Sequence, residues 1–194
     1  LLNGRLLLRG PLPDIPLSSA CWSGETLVWA RVDRNTARQF TSQVALQPAA
    51  TRTLLGSLPG IPDDLLHSVL IRYPWDLVHI NEEMIIDAWR RRGGCRIDGH
   101  VYDGAHLLDV KNICIGRGSR IKPGVTLDAE DGPILIGENV TISPNAAIIG
   151  PCIIDDSSIV QIGAAIGESS IGPVCKVGGE IEATIMQGYS NKQH

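Results

Sequence analysis

His194, the last residue of the chain, is the side chain whose type best suits proton transfer. It closes the segment GYSNKQH (188–194). Imidazole has a pKa near neutrality, so it can take a proton from a reacting group and return it. The alternative is a solvated chain end without a chemical role. The other four histidines have no partner at a telling spacing, and we interpret them as structural or exposed: His67, His79, His100 and His106.

The five cysteines are the other side chains with reactive potential. They are widely scattered, form no CxxC pair and are odd in number: Cys21, Cys95, Cys114, Cys152 and Cys175. Zinc sites and disulfide frameworks both need cysteines at short, recurring spacings. The sequence therefore predicts neither a zinc site nor a disulfide framework, and it fits a reducing cytosol.

Two stretches of the chain could bind phosphate. The arginines of RRRGG (90–94) could contact a phosphate directly, but cations followed by glycine also suit the end of a helix. IGRGSR (115–120) imitates a glycine-rich phosphate loop, but the repeat described below places Gly116 and Gly118 at corners of the chain. We expect both stretches to be structural.

The overall composition excludes several classes of function. The formal net charge is −4 and no stripe of basic residues occurs, so nucleic acid is not an expected partner. No uncharged apolar run approaches the ~18 residues that cross a bilayer, and no secretory signal is present. We therefore expect a cytoplasmic protein without membrane helices.

A six-residue repeat in the second half of the chain must position these residues. Neither a helix, with 3.6 residues per turn, nor a single strand, with a repeat of two, needs a period of six. A chain that forms a short strand, turns a corner and closes a coil every three hexads does need it. An aliphatic residue occupies each sixth position, at Ile136, Ile142, Ile148, Ile154, Val160 and Ile166.

A second inward position supports this interpretation. Side chains alternate in and out along a strand, so each hexad has another inward position, four residues after the previous aliphatic. These positions hold uncharged and mostly small residues: Ser119, Val125, Val140, Ala146, Cys152, Ser158, Ala164, Ser170, Cys175 and Ile181. Glycine often follows the aliphatic, where a corner favours it. The sequence thus predicts a mainly β fold, a hexapeptide-repeat parallel β-helix in which Cys152 and Cys175 are packing residues.

The repeat has two irregularities and a loose end. Three extra residues between Leu127 and Ile136 predict a loop at one corner, and Ile171 comes one residue early after Ile166. After Val177 the spacing loosens, which predicts that the regular wall opens over residues 178–194.

The residues before 95 have a different character. Most aromatic residues and arginines lie there, and we expect an incomplete α/β segment over 1–94 and an incomplete β-helix over 95–194. TLVWARV (26–32) predicts a strand. Since the chain opens on Leu1, we expect it to be a piece of a longer polypeptide. Helical spacing occurs near 33–46, 63–71 and 81–92, the last starting at Asn81.

These repeats and several motifs together resemble a known family. AEDGPILIG (129–137), IGPVCKVGGEIE (171–182) and GYSNKQH (188–194) are similar to the bacterial bifunctional N-acetylglucosamine-1-phosphate uridyltransferase/glucosamine-1-phosphate acetyltransferase family. LLNGRLLL (1–8) and YPWDL (73–77) resemble the tail of its nucleotidyltransferase half. The resemblance implies a left-handed β-helix, preceded by the tail of a Rossmann-like nucleotidyltransferase domain.

The resemblance also implies a transferase of UDP-N-acetylglucosamine-type biosynthesis. Its β-helix would acetylate an amino-sugar phosphate, with acetyl-CoA as co-substrate, in a homotrimer whose sites lie between neighbours. His194 would take the proton of the sugar amine, and Glu180 would lie beside the sugar. Asn191 and Lys192 would contact its phosphate or hydroxyls. Mg²⁺ and a nucleoside triphosphate would belong to the nucleotidyltransferase half.

Departures from the family pattern leave alternatives open. Gln161 and Glu182 stand where relatives have a basic residue for the sugar phosphate, so the sugar and the nucleotide are not assigned. Uridylyl or thymidylyl transfer could be the parent protein's only activity. The β-helix could also be a structural stalk, with Glu180, Asn191 and Lys192 in a solvated loop. A zinc-binding β-helix is excluded because residues 115–193 contain no histidine.

Overall fold

Residues 1–74 form the first of two structural units, which is built from short strands and short helices. The computed structural model describes residues 1–10, 14–61 and 68–193 of the chain. The elements of this unit are β1 (Leu6–Leu8), β2 (Ser19–Ser23), β3 (Thr26–Arg31), α1 (Arg34–Gln39), α2 (Ser42–Ala45), α3 (Pro48–Leu55) and β4 (Ser68–Leu70). Strand β1 pairs antiparallel with β4, and β2 pairs antiparallel with β3.

The β2–β3 hairpin carries the core of this unit. Trp29 is fully buried and clusters with Cys21 and Val28. Helix α1 begins after Asp33. The Asp33 carboxylate accepts hydrogen bonds from the hydroxyl and the backbone N–H of Thr36 and from the backbone N–H of Asn35. These hydrogen bonds, led by the one from the Thr36 hydroxyl, lower the pKa of Asp33.

The structure confirms part of what the first half of the sequence predicts. The strand predicted over 26–32 is β3, and the helical spacing of 33–46 becomes the two short helices α1 and α2. The helix predicted over 63–71 is wrong at Ser68–Leu70, which is a strand because it pairs with Leu6–Leu8. Residues 63–67 of that prediction lie outside the described residues. In the part of this unit that is described, both strand pairs are antiparallel, and no Rossmann-like parallel sheet is present.

Two helices precede the repeats: α4 (Pro74–His79) and α5 (Asn81–Arg92). Helix α5 ends as its sequence predicts, with three arginines in the last turn and Gly93 in the left-handed conformation at a φ of 70°. The helix also begins at Asn81, as predicted, with Glu82 and Glu83 in its first turn, but Asn81 does not act as the N-cap. The N-cap is Ile80, without a side-chain hydrogen bond, and Asn81 uses its amide to bond to the repeat region.

The repeat region is a parallel β-solenoid of about five turns over residues 100–192, of the left-handed β-helix type. We name its three sheets side 1, side 2 and side 3. Side 1 contains β7 (Ile113–Ile115), β10 (Ile134–Ile136), β13 (Cys152–Ile154), β16 (Ser170–Ile171) and β19 (Ile185–Met186). Side 2 contains β5 (His100–Val101), β8 (Arg120–Ile121), β11 (Thr141–Ile142), β14 (Ile159–Val160), β17 (Lys176–Val177) and β20 (Asn191–Lys192). Side 3 contains β6 (His106–Leu108), β9 (Thr126–Asp128), β12 (Ala147–Ile149), β15 (Ala165–Gly167) and β18 (Glu180–Glu182).

The inward columns of aliphatic side chains hold the solenoid together. The six residues that define the period of six are each at most 1% exposed, which confirms the repeat. On side 2, Ile142 stacks between Ile121 and Val160 in register. Each buried aliphatic side chain contributes roughly 1.5–3 kcal/mol relative to exposure, so stacking suffices for a core with almost no aromatic residues.

Glycine occurs at the predicted corners for a steric reason, and not for the backbone freedom that the sequence analysis expects. A Cβ on Gly116 would clash with the backbone of Gly137, which occupies the same corner of the next coil. The left-handed conformation falls two residues later instead, on Gly118 and Asn139. Close stacking between coils likewise leaves no room for a Cβ at Gly137, Gly172 and Gly178, whereas Gly167 has room for one.

Three details of the repeat differ from the prediction. Ser169, and not Ser170, is fully buried, because the early arrival of Ile171 shifts the inward position by one. Ile181 occupies the main aliphatic column, since it pairs with Ile166. The wall does not open over the described residues 178–193. Instead, the number of residues per coil decreases. On side 1, Ile136 and Ile154 are 18 residues apart, Ile154 and Ile171 are 17 apart, and Ile171 and Met186 are 15 apart.

The cysteines follow the prediction in part. Cys152 and Cys175 are buried in the inward columns, and burial raises the pKa of the Cys152 thiol to about 12. Cys95 and Cys114, however, form a disulfide, with their Cα atoms 4.6 Å apart. The prediction that the cysteines form no disulfide is therefore wrong for this pair. The fold brings together two residues that are 19 positions apart, and sequence spacing alone does not reveal that contact.

Candidate functional site

The last described coil places Lys192 against the corner that follows β17. Lys192 pairs with Val177, so its Cα continues an inward column that is aliphatic in every earlier coil of side 2. Its ammonium donates a 3.0 Å hydrogen bond to the carbonyl oxygen of Gly178. This is its single hydrogen bond among residues 1–10, 14–61 and 68–193. An ammonium has three N–H donors, so two remain for a ligand.

The corner beside Lys192 is shortened. Four residues separate Val177 from Ile181, whereas six separate Val160 from Ile166 in the previous coil. A Cβ on Gly178 would lie 2.8 Å from the carbonyl oxygen of Gln193 and 3.1 Å from side-chain atoms of Gln161. Only glycine therefore lets the Lys192 strand and the previous corner approach this closely. We call Gln161, Gly178, Glu180, Lys192 and Gln193 the short corner.

Glu180, in the short corner, and Asn191, just before Lys192, lie on different sides of the solenoid. Glu180 begins β18 on side 3, pairs with Ala165 and is exposed. Asn191 begins β20 on side 2, pairs with Lys176 and is also exposed. Both side chains are therefore presented to solvent from ordered strands and not from the solvated loop considered above.

His194 lies outside the described residues, so the proton-transfer role predicted for it stays a prediction. The three described members of the predicted site, Glu180, Asn191 and Lys192, all lie within the last one and a half coils. The described histidines are exposed, as predicted: His79, His100 and His106.

The short corner has the chemistry of a polar ligand site. The Lys192 ammonium suits a phosphate as a compact point charge. The Glu180 carboxylate can accept hydrogen bonds from hydroxyl or amine groups, and the Gln161 amide can both donate and accept. An anionic, hydroxyl-bearing ligand therefore has a partner for each kind of group.

Sequence reasoning missed Gly178 and Gln193 as members of this site. The signal was present: the spacing from Val177 to Ile181 falls from six to four, and a deletion inside a stacked coil must pull neighbouring corners together. The prediction that the wall opens over residues 178–194 rests on this same irregularity, and it is wrong for the described residues, which continue to pair up to Lys192.

Within the described ranges, no three histidine, cysteine, aspartate or glutamate side chains form a group that could hold a metal ion. No helix of the described residues has the length and hydropathy to cross a membrane.

Comparison with known proteins leaves the family open. No protein-family model matches the chain, and a search of the curated proteins finds no significant match.

Proposed function

We propose that this chain belongs to a cytoplasmic sugar-phosphate transferase of UDP-N-acetylglucosamine-type biosynthesis, in which the solenoid transfers an acetyl group from acetyl-CoA to an amino-sugar phosphate. The observation that carries the proposal is the short corner. It places the Lys192 ammonium 3.0 Å from the Gly178 carbonyl, two residues before the exposed Glu180 carboxylate. The short corner thus contains both a cation and a carboxylate, which suit a ligand that carries both a phosphate and an amine.

The reaction needs a base, an anion site and a leaving thiolate. The sugar amine attacks the thioester carbonyl, the C–S bond breaks, and coenzyme A leaves with the electron pair. His194 takes the amine proton and can pass it to the leaving thiolate. Lys192 holds the phosphate, and Glu180 and Asn191 orient the hydroxyl and amine groups.

The proposed assembly is a homotrimer formed through the solenoid. Support comes from large apolar side chains that are exposed on the solenoid: Ile149 of side 3 is 46% exposed, Ile159 of side 2 is 40% exposed, and Ile162, at the corner between these two sides, is 72% exposed. Large exposed apolar side chains of this kind are suited to burial in an interface between copies of the chain. Sedimentation velocity of the full-length protein tests the assembly directly.

The enzymatic proposal is tested with the full-length protein, acetyl-CoA and glucosamine-1-phosphate, by measuring released thiol. We expect turnover that falls at least 100-fold in His194→Ala, because general acid–base catalysis contributes about that factor or more. His106→Ala, at an exposed position on the first coil, is the matched control and should keep wild-type turnover. Equal turnover in both variants would remove His194 from the mechanism, and no thiol release with any amino-sugar phosphate would end the proposal.

The alternative is a sugar-1-phosphate nucleotidyltransferase, uridylyl or thymidylyl, whose solenoid is a structural or oligomerisation module. The observation that favours it is the first unit, which has its own core and its own sheets. Its described residues do not supply a three-ligand group for Mg²⁺, so we derive no step through the metal. Pyrophosphate release from UTP or dTTP with a sugar-1-phosphate, without thiol release from acetyl-CoA, would support this alternative.

A further inference from the structure

Helix α5 is attached to side 1 of the solenoid at both ends. At its first residue, the Asn81 amide donates to the backbone oxygen of Glu168, just before β16. Three residues beyond its end, Cys95 is bonded to Cys114 of β7. Twelve helical residues span ~18 Å, and the three strand spacings from β16 to β7 span ~14 Å. The helix therefore runs along side 1 and contacts β13 on the way.

A cavity of about 560 Å³ opens at the disulfide end of this helix. Its lining includes both bonded cysteines together with the charged residues Arg92, Arg96 and Asp98. Cys95 is half-buried, whereas Cys114 is only 5% exposed, so Cys95 is the more accessible of the two bonded residues. The volume lies in the range of small-molecule sites.

The charge around the disulfide is positive. Arg92 and Arg96 make no ion pair among the residues of the two units that the structure describes, and Asp98 supplies the single negative charge of the lining. Two guanidinium groups against one carboxylate attract anions into the cavity. They also favour thiolates over thiols at the sulfur atoms.

We propose that the Cys95–Cys114 disulfide is a thiol–disulfide exchange site for small anionic thiols, and that exchange there releases the C-terminal end of α5. The incoming thiolate attacks Cys95 Sγ and forms a mixed disulfide. The Cys95–Cys114 bond breaks, and its electron pair leaves on Cys114 Sγ as a thiolate next to the arginines. A second thiolate attacks the mixed disulfide, which yields the small-molecule disulfide and a free Cys95. Two thiols are oxidised and one protein disulfide is reduced.

The structural consequence is local. With the disulfide open, α5 keeps its attachment at Asn81 but loses the covalent one at Cys95. The last turn, Arg90–Arg92, is exposed and is followed by two glycines, so it becomes the part of the helix that opens most easily. Exchange therefore converts a helix fixed at both ends into a helix fixed at one end. This activity is separate from acyl transfer.

The experiment compares glutathione, which is anionic, with cysteamine, which is cationic, at equal thiolate concentrations on the native protein. Mass spectrometry of acid-quenched samples gives the rate and the position of the adduct. We expect the adduct on Cys95, with glutathione several-fold faster at low ionic strength and the difference shrinking with salt. Hydrogen exchange should then accelerate in the last turn of α5 and not in β13.

Two double variants locate the effect. Arg92→Gln with Arg96→Gln should abolish the preference for glutathione, because both charges line the cavity. Arg90→Gln with Arg91→Gln changes charge equally in the same helix end but outside the cavity lining, and should keep the preference. The salt dependence of wild-type protein gives the same answer if a variant is unstable. Equal rates for the two thiols in wild type, an adduct on Cys114, or reaction only in denaturant would each overturn the proposal.

Discussion

The hydroxyl of Ser170 donates a 2.7 Å hydrogen bond to the side-chain oxygen of Asn81, which lies 89 residues earlier in the chain. The Asn81 amide nitrogen in turn donates to the backbone oxygen of Glu168 at 3.1 Å. One side chain that is 6% exposed thus satisfies two partners from the solenoid and fixes the start of α5 on side 1. Ser170 is free for this contact because Ile171 arrives one residue early, which turns Ser170 outward and Ser169 inward.

Replacing Asn81 by alanine should destabilise the protein by about 1–3 kcal/mol, since it removes both hydrogen bonds that hold the start of α5 to side 1 and leaves the partly buried Ser170 hydroxyl without its acceptor. Chemical denaturation measures this change. Glu82→Gln, an exposed change in the same helical turn, is the control and should stay within ~0.5 kcal/mol of wild type. An equal effect of the two substitutions would show that the Asn81 contacts contribute nothing to stability.

The protein should become more stable when Val174 is replaced by asparagine. The φ of Val174 is 58°, in the left-handed region, where a β-branched side chain is strained by roughly 1–2 kcal/mol. The equivalent corners of earlier coils hold Gly118 and Asn139, which tolerate this conformation. Val174 is 47% exposed, so little packing is lost. We expect Val174→Asn to raise the unfolding free energy by about 1 kcal/mol in a denaturant titration.

The control for this prediction is Val110→Asn. Val110 is 51% exposed but does not have a positive φ, so the same substitution relieves no strain there. A gain of equal size at both positions would mean that surface polarity, and not backbone conformation, explains the effect.

Gly178→Ala should damage the short corner. The added Cβ would lie 2.8 Å from the Gln193 carbonyl oxygen, so the Lys192 strand must move away. We expect a destabilisation of about 1–3 kcal/mol from overpacking and a higher KM for the sugar phosphate. Gly163→Ala is the comparison, because its Cβ meets nothing within 4 Å and its φ of 67° costs only the left-handed strain. If Gly178→Ala left the KM for the sugar phosphate unchanged, Lys192 would not contribute to substrate binding.

The thiol of Cys152 should be inert in the folded protein. Its pKa is raised to about 12 by burial, from an ordinary value of 9.0, so the reactive thiolate is absent near pH 8. Iodoacetamide should modify Cys152 only when the protein is unfolded, as peptide mass spectrometry can show. Modification of the native protein at the unfolded rate would contradict the burial.

The same pKa predicts a loss of stability at high pH. Between pH 9 and pH 12 the unfolded state releases the Cys152 proton and the folded state keeps it, so rising pH favours unfolding. The slope approaches about 1.4 kcal/mol per pH unit. Cys152→Ala, which matches Ala146 and Ala164 in equivalent inward positions, should lack this slope. Parallel stability–pH curves for the two proteins would refute the prediction.

The sequence alone determined the solenoid, because its repeat is enforced locally. Each coil buries the same column of side chains, so Ile142 or Val160 reveals its inward position without knowledge of the rest of the chain. The first unit carried no such redundancy. Ser68–Leu70 became a strand through pairing with Leu6–Leu8, a contact that its own helical spacing could not anticipate.

Only the tertiary structure decided which distant residues meet. Three contacts join segments from different coils or elements: the disulfide between Cys95 and Cys114, the hydrogen bond between Ser170 and Asn81, and the close approach of Gln161 to Gly178. Such contacts depend on the summed lengths of every turn between the partners. One missing residue after Ile166, or two after Val177, changes which side chains meet across neighbouring coils. The hydrophobic repeat from which the fold is predicted continues almost unchanged through both deletions.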